Sequence, residues 1–177
     1  LKMLDTPLTL QSSDFALFGL SQRFAQDSRQ IEDAWKRLQA QTHPDKFAAE
    51  GAAAQRLAMQ WSVRINEAYQ RLKNPLRRAA YLCTLAGVAI NAERNTAMPS
   101  DFLMQQMQWR EALEDAGRNE DALQNLLEQA QQWQSAALSH CAVLLDEKQD
   151  WAGAAEVVRQ LLFVEKFLQE VENRFPL

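Results

Sequence analysis

Pro44 interrupts a long stretch of helical periodicity, and it constrains the fold more than any other residue. Apolar residues recur every three or four positions from residue 28 to 42 and again from about 50 to 73. Proline has no N–H to donate and disfavours the α region at the preceding His43. A continuous helix is therefore excluded, and the short connection predicts two helices packed as an antiparallel hairpin. The buried stripe predicted for the second helix consists of Leu57, Trp61, Ile65, Ala68 and Leu72.

The rest of the chain carries the same kind of periodicity. A short apolar segment near Phe15 precedes the hairpin, and Pro75 opens another helix after it. Residues 87–99 have weak periodicity and form the predicted connector. Three helical patterns follow, the first ending near Gly117 and the last opening at Asp150. The chain is predicted to be all-α, with a helical hairpin flanked by short helices and a C-terminal three-helix bundle over residues 100–177.

Composition argues against several classes of protein. The 177 residues are 47% hydrophobic, which is enough to bury a core. The longest nearly apolar run, residues 79–90, is shorter than the roughly 18 residues of a membrane span. With no signal-like start either, we expect a cytoplasmic protein without a membrane partner. Cys83 and Cys141 lack CxxC spacing, so no disulfide framework, metal site or cofactor is predicted. Residues 1–12 are assigned no function.

Charge is distributed unevenly along the chain. Residues 1–95 carry a net charge of +4 and residues 96–177 a net charge of -8, within a total of -4. Such a division indicates two surfaces that meet different partners. A solvated acidic bundle without a partner would have the same charge distribution, so both interpretations stay open.

The stretch "THPDKF" presents charged side chains from a restricted turn at the end of the hairpin. Asp45 offers a carboxylate that can form a bidentate pair with a partner arginine. Lys36, Arg37 and Lys46 supply positive charge beside it. A stiff scaffold that carries an exposed loop is typical of a docking element. The alternative is an ordinary turn, since Pro and Asp are common turn residues.

Two other functions compete with docking. A basic cluster, consisting of Arg71, Lys73, Arg77 and Arg78, is compatible with nucleic-acid binding, but the net charge of -4 and the pI near 5.3 argue against it. An enzyme would need His43 with Asp45, or His140 with Cys141, as reacting groups. No nucleophile elbow, phosphate loop or metal spacing accompanies either pair, so no catalytic residue is predicted.

In this setting "HPDKF" followed by "NPLRRAAYL" resembles the J domain of DnaJ-type co-chaperones over roughly residues 13–86. The resemblance implies that the loop contacts a DnaK-class ATPase and stimulates its ATP hydrolysis. The residues that would carry this role are His43, Pro44, Asp45 and Lys46, supported by Lys36 and Arg37. Thr42 departs from the pattern, because many J domains have an aromatic residue there.

The second half of the chain narrows the resemblance. "LFGL", "HPDKF", "RRAAYL" and "DFLMQQMQWREALEDA" are similar to the HscB family, co-chaperones of bacterial iron–sulfur cluster assembly, over nearly the whole chain. In that family the J domain engages the DnaK-class chaperone HscA, and the C-terminal bundle binds the scaffold protein IscU. The cysteine-rich N-terminal extension of some eukaryotic relatives is absent, which favours a bacterial protein.

The first helix of the bundle has apolar residues on two sides. One set can face the core: Phe102, Trp109, Ala112, Leu113 and Ala116. A second apolar side suits an adaptable protein interface, especially where it contains methionine, although packing on the connector is the alternative. The resemblance assigns scaffold binding to Leu103, Met104, Met107, Gln108, Glu111 and Asp115, with Phe163 from the last helix. Gln108 stands where relatives often have an acid.

Overall fold

The computed structural model describes residues 2–3, 6–91 and 97–176 and divides into two compact units, Leu1–Leu82 and Cys83–Leu177. Two strands of two residues, β1 (Lys2–Met3) and β2 (Thr6–Pro7), pair in antiparallel fashion. Every other regular element in the described residues is helical, so the predicted all-α class is confirmed. The domain limits 13–86, 87–99 and 100–177 stay predictions, and residues 92–96 of the connector lie outside the described part.

The first unit is built around the predicted hairpin. Its helices are α1 (Asp14–Phe18), α2 (Ser28–Thr42), α3 (Ala52–Lys73) and α4 (Pro75–Leu85), the last of which crosses into the second unit. The Asp27 carboxylate caps α2 by accepting the backbone N–H of Arg29. A 3₁₀ segment, Pro44–Glu50, joins α2 to α3. Proline thus ends the helix where the sequence predicts, and the short connection that follows is a 3₁₀ helix.

Apolar side chains between α2 and α3 form the core of the hairpin. The buried positions are Ile31, Ala34 and Leu38 on α2 and Ala58, Ile65, Ala68 and Leu72 on α3. The prediction for Leu57 was wrong, because that side chain is exposed, and Trp61 is only half-buried. Ala58 precedes Ile65 by about two helical turns and faces the same way, whereas Leu57 is rotated by roughly 80°.

A fully buried carboxylate fixes α1 against α3. The Asp14 carboxylate accepts from Arg64 at 2.8 Å and from Arg71 at 2.7 Å. Its own backbone N–H donates to the Tyr81 hydroxyl oxygen of α4 at 3.0 Å. The hydrogen bond from Arg71 to Asp14 raises the pKa of Arg71. A buried carboxylate needs such partners, and here two arginines and a tyrosine tie α1 to α3 and α4.

Two residues of the basic cluster considered for nucleic-acid binding are engaged inside this unit. Arg71 is held by Asp14. Arg78 is buried, lies over the Phe24 ring at 5.0 Å and donates to the Leu72 carbonyl at 2.6 Å. Charges committed to internal partners contribute little to a surface for phosphate groups.

The second unit contains three long helices, α5 (Ser100–Ala116), α6 (Glu120–Ala142) and α7 (Trp151–Glu172). A π-helical turn, Val143–Glu147, extends α6. Asn119 caps α6 by accepting the Ala122 N–H, and Asp150 caps α7 by accepting the Gly153 N–H. The predicted ends of the helices at Gly117 and Asp150 are therefore confirmed.

Aromatic rings dominate the core of this bundle. Trp109 of α5 stacks on Phe167 of α7 at 5.5 Å between ring centroids and meets Trp133 of α6 edge-on at 6.3 Å. Phe102, Leu113 and Ala116 are buried with Trp109, as predicted. Ala112 is exposed, contrary to the prediction, because it lies about 70° round the helix from the centre of the buried side.

Candidate partner-binding surfaces

The His43-Pro44-Asp45 loop is fixed by its own backbone and by a side-chain cap. His43 follows the end of α2 with φ -61° and ψ 127°, the extended conformation that a following proline favours. Its Nδ1 accepts the Asp45 N–H at 3.3 Å, and its carbonyl accepts the Lys46 N–H at 3.0 Å. The turn therefore has a defined shape before any partner binds.

The polar ends of the loop lie at the protein surface. The side chains of His43 and Asp45 are 57% and 92% exposed, and Nδ1 lies 3.5 Å from an Asp45 oxygen. With Nδ1 accepting, the ring proton is on Nε2 and can be donated outward. The Asp45 carboxylate has most of its acceptor sites in solvent. This arrangement fits recognition of a partner, not a water-excluded acid–base site.

Positive charge flanks the loop on α2 and on the 3₁₀ segment. Lys36 forms an ion pair with Glu32 at 2.7 Å, which raises the pKa of Lys36 and lowers that of Glu32. Arg37 and Lys46 are exposed, and no described residue forms an ion pair with either of them. Of the six residues predicted to contact a chaperone, Lys36 and Arg37 lie on α2, and His43 lies between α2 and the 3₁₀ segment. The other three, Pro44, Asp45 and Lys46, begin that segment.

A polar network that was not predicted from the sequence ties α2 to α3 one turn before the loop. The Gln39 side-chain amide donates to Asn66 Oδ1 at 2.7 Å, and Trp35 Nε1 donates to the same oxygen at 2.9 Å. The Ser62 hydroxyl donates to Gln39 Oε1 at 3.0 Å. Trp35 and Gln39 are four residues apart, as are Ser62 and Asn66, and this spacing was the available signal.

The second candidate surface lies on α5. Leu103, Met104 and Met107, here called the α5 patch, are 43%, 61% and 71% exposed, so the helix does have a second apolar side. Gln108, Glu111 and Asp115 are exposed on the same helix. Large apolar side chains at such exposure, next to carboxylates, are typical of a protein-binding surface with a polar rim.

Phe163 lies at the edge of the α5 patch rather than within it. Its ring is half-buried against the core of the bundle and lines a shallow cleft with Gln106 and Arg110 of α5. These two residues follow Leu103 and Met107 by three positions, so they separate Phe163 from the patch by one helical row. Arg110 is held there by hydrogen bonds to Glu170, a pair that was not predicted from the sequence.

Burial makes both thiols poor nucleophiles. It raises the pKa of Cys83 to about 11 and that of Cys141 to about 12. His140 is exposed, whereas its neighbour Cys141 is buried, which argues against their action as a catalytic pair. Within the described residues, no helix is long and apolar enough to cross a membrane, and no three potential ligands cluster around a metal-sized space.

The fold and the exposed loop define an all-α protein with a surface suited to binding a partner protein, and comparison with known proteins gives the family. Residues 98–172 match the family model described as the HSCB C-terminal oligomerisation domain. A Co-chaperone protein HscB homolog of Burkholderia mallei is 51% identical over 93% of this chain and 94% of its own. The homolog of Bordetella avium is 47% identical over 89% of this chain and 94% of its own.

Solved structures agree with the sequence relatives. Chaperone HscB from Vibrio cholerae has a TM-score of 0.80 and 34% identity, over 92% of this chain and 96% of its own. Human co-chaperone HscB has a TM-score of 0.87 over 92% of this chain and 82% of its own, and at 23% identity it shows the shared fold alone. The chain therefore belongs to the HscB family of co-chaperones, J-domain proteins of iron–sulfur cluster assembly.

Proposed function

We propose that this chain stimulates the ATPase of the DnaK-class chaperone HscA through the His43-Pro44-Asp45 loop and delivers the scaffold protein IscU through its C-terminal bundle. One observation carries the proposal: in a member of the HscB family, a capped and proline-fixed turn presents an almost fully exposed Asp45 carboxylate. The bacterial cytoplasm is the proposed location of this activity.

The parts of the loop have different roles in this proposal. Pro44 holds the turn, and His43 caps it through Nδ1. The Asp45 carboxylate then pairs with an arginine of the chaperone, where a bidentate contact would supply both energy and orientation. Lys46, Lys36 and Arg37 attract acidic groups of the chaperone around that contact.

Scaffold binding uses the other unit. Leu103, Met104 and Met107 supply apolar contact area, and Phe163 borders it. Gln108, Glu111 and Asp115 form a polar, mostly acidic rim, which suits a basic margin on the scaffold. The net charge of -8 over residues 96–177 supports this assignment.

A steady-state ATPase assay tests the whole proposal. The rate of purified HscA is measured alone, with this protein, with IscU, and with both. We expect stimulation by this protein and a larger stimulation when IscU is also present. An HscA rate that this protein leaves unchanged, with and without scaffold, would contradict the proposal.

Charge reversal on α2 should slow association with the chaperone. In Lys36→Glu with Arg37→Glu, the positive face of the helix becomes negative, and exposed charges act mainly by steering diffusional encounter. Because Lys36 already pairs with Glu32, most of the effect should come from Arg37. We expect the association rate to fall by about tenfold at low salt and to lose much of its salt dependence.

Stopped-flow measurements at two ionic strengths check this prediction. Arg118→Glu is the matched control, since Arg118 is an exposed arginine of the second unit and the loop lies in the first. An association rate equal to that of the parent protein at low salt would mean that Lys36 and Arg37 face solvent and do not contribute to chaperone association.

A further inference from the structure

An apolar groove opens beside the His43-Pro44-Asp45 loop. It has a volume of about 360 Å³ and lies between the end of α2, the 3₁₀ segment and the first turns of α3. Its apolar lining includes Phe47, Ala54, Leu57 and Trp61, and Glu50 lines it as well. This volume is at the small end of ligand sites, which suits a side chain or a short segment better than a cofactor.

Leu57 leaves apolar side-chain surface exposed to solvent beside this groove. Among the described residues of the first unit, the large apolar side chains that remain exposed are Leu57, Met59 and Val63 of α3, and of these three only Leu57 lines the groove. Farther along α3, Ile65, Ala68 and Leu72 are buried. Leu57 is 52% exposed although an apolar groove lies beside it. An apolar surface left open in this way indicates a contact with another molecule.

The groove and the loop belong to one continuous surface. The 3₁₀ segment Pro44–Glu50 carries Asp45 near its start and contributes Phe47 and Glu50 to the groove. Thr42, the residue before His43, lines the groove as well. Asp45 is only two residues from Phe47 along the chain. A partner that binds Asp45 therefore also lies next to the groove.

We infer that the groove receives an aliphatic side chain of the same DnaK-class chaperone that docks on His43-Pro44-Asp45, an inference that rests on the proposed function. Glu50 is the one charged residue that lines the groove, so a basic group next to the aliphatic side chain completes the match. Asp45 supplies orientation, and the groove supplies the apolar anchor that a paired charge alone lacks. The contact surface of the chaperone thus extends past the loop onto α3.

The test compares two equally exposed residues of one helix. Leu57 lines the groove and Val63 does not, and both are 52% exposed. We expect Leu57→Asn to weaken binding of full-length HscA by about 5- to 30-fold in surface plasmon resonance, with a matching loss of ATPase stimulation at limiting concentration. Val63→Asn should bind within about twofold of the parent protein. Both variants should stay folded, since neither side chain is buried.

A second variant fills the groove. Ala54→Phe places a ring in the groove and also adds apolar surface. If a side chain of the chaperone enters the groove, the ring should block it and weaken chaperone binding. If the chaperone responds only to the amount of apolar surface, binding should become stronger. The latter result overturns the inference, as does a Leu57→Asn variant that binds like Val63→Asn. A Leu57→Asn effect on self-association of this chain, with chaperone binding unchanged, would also overturn it in favour of a second copy as the occupant.

His43→Gln, measured in the same series, separates the two proposals. If His43→Gln loses stimulation and Leu57→Asn does not, the proposed function stands and the groove is not a chaperone contact. If His43→Gln keeps full stimulation, the proposed function itself fails.

Discussion

We expect Asp45→Asn to abolish stimulation of the HscA ATPase and to leave the helical fold unchanged. The substitution keeps the shape of the side chain and removes its charge, so an arginine of the chaperone loses its bidentate partner. Removal of one member of a buried charge pair at an interface costs about 2 to 5 kcal/mol. Even the lower limit corresponds to a loss of roughly 30-fold in affinity, which leaves little stimulation at ordinary concentrations.

Stability should change little in this variant. The Asp45 side chain is 92% exposed, and the cap of the turn comes from His43, which the substitution does not remove. His43→Gln should lose stimulation too, because the cap and the outward Nε2–H donor are both altered. Circular dichroism and a thermal melt check the fold, and the ATPase rate checks the function.

Glu67→Gln is the matched control for Asp45→Asn. It removes one negative charge from an exposed side chain of the same unit, on α3. Stimulation should equal that of the parent protein, since Glu67 is not part of the loop. If Asp45→Asn were as active as this control, the loop would be an ordinary turn and its assigned role would be wrong.

Local chemistry explains why so much of the hairpin was predictable. Pro44 and Asp27 act on their own backbone, so the ends of α2 follow from neighbouring residues. The second apolar side of α5 was predictable for a similar reason, because Met104 and Met107 cannot share a helix face with Trp109. Signals that arise within one element can be read from the sequence alone.

The features that escaped prediction depend on distant residues. Asp14 meets Arg64 and Arg71 across 50 and 57 positions of the chain, and nothing near Asp14 indicates those partners. The contact between Gln39 and Asn66 spans 27 positions. Periodicity alone also placed Leu57 in the core, although the smaller Ala58 lies on the buried line. Leu57 is a large apolar residue at helical spacing, which indicated burial. The packing of α3 on α2 instead buries the side that carries Ala58.

The α5 patch allows the second large effect to be predicted with a separate test of stability. In Leu103→Ala with Met107→Ala, both substitutions fall on side chains that are 43% and 71% exposed, so the free energy of unfolding should change by less than about 1 kcal/mol. Apolar anchors contribute about 1 to 3 kcal/mol each at an interface. We expect the double variant to bind IscU at least about 30-fold more weakly in titration calorimetry.

Phe163→Ala, measured alone, should behave differently. Its ring packs against the core of the bundle, so truncation should lower the melting temperature as well as the scaffold affinity. Leu85→Ala is the control, since Leu85 is 39% exposed in the same unit but lies on α4, outside the patch. It should bind IscU like the parent protein.

The comparison of melting and binding then decides what the second apolar side of α5 is for. Stimulation of HscA without scaffold should survive in the double variant, because the loop on the first unit is untouched, while the extra stimulation that IscU provides should disappear. A double variant that melts several degrees lower and still binds IscU would mean that Leu103 and Met107 are packing residues. Retained stability with lost binding would instead assign them to the scaffold, because an exposed apolar side that contributes nothing to the fold is explained by a partner that covers it.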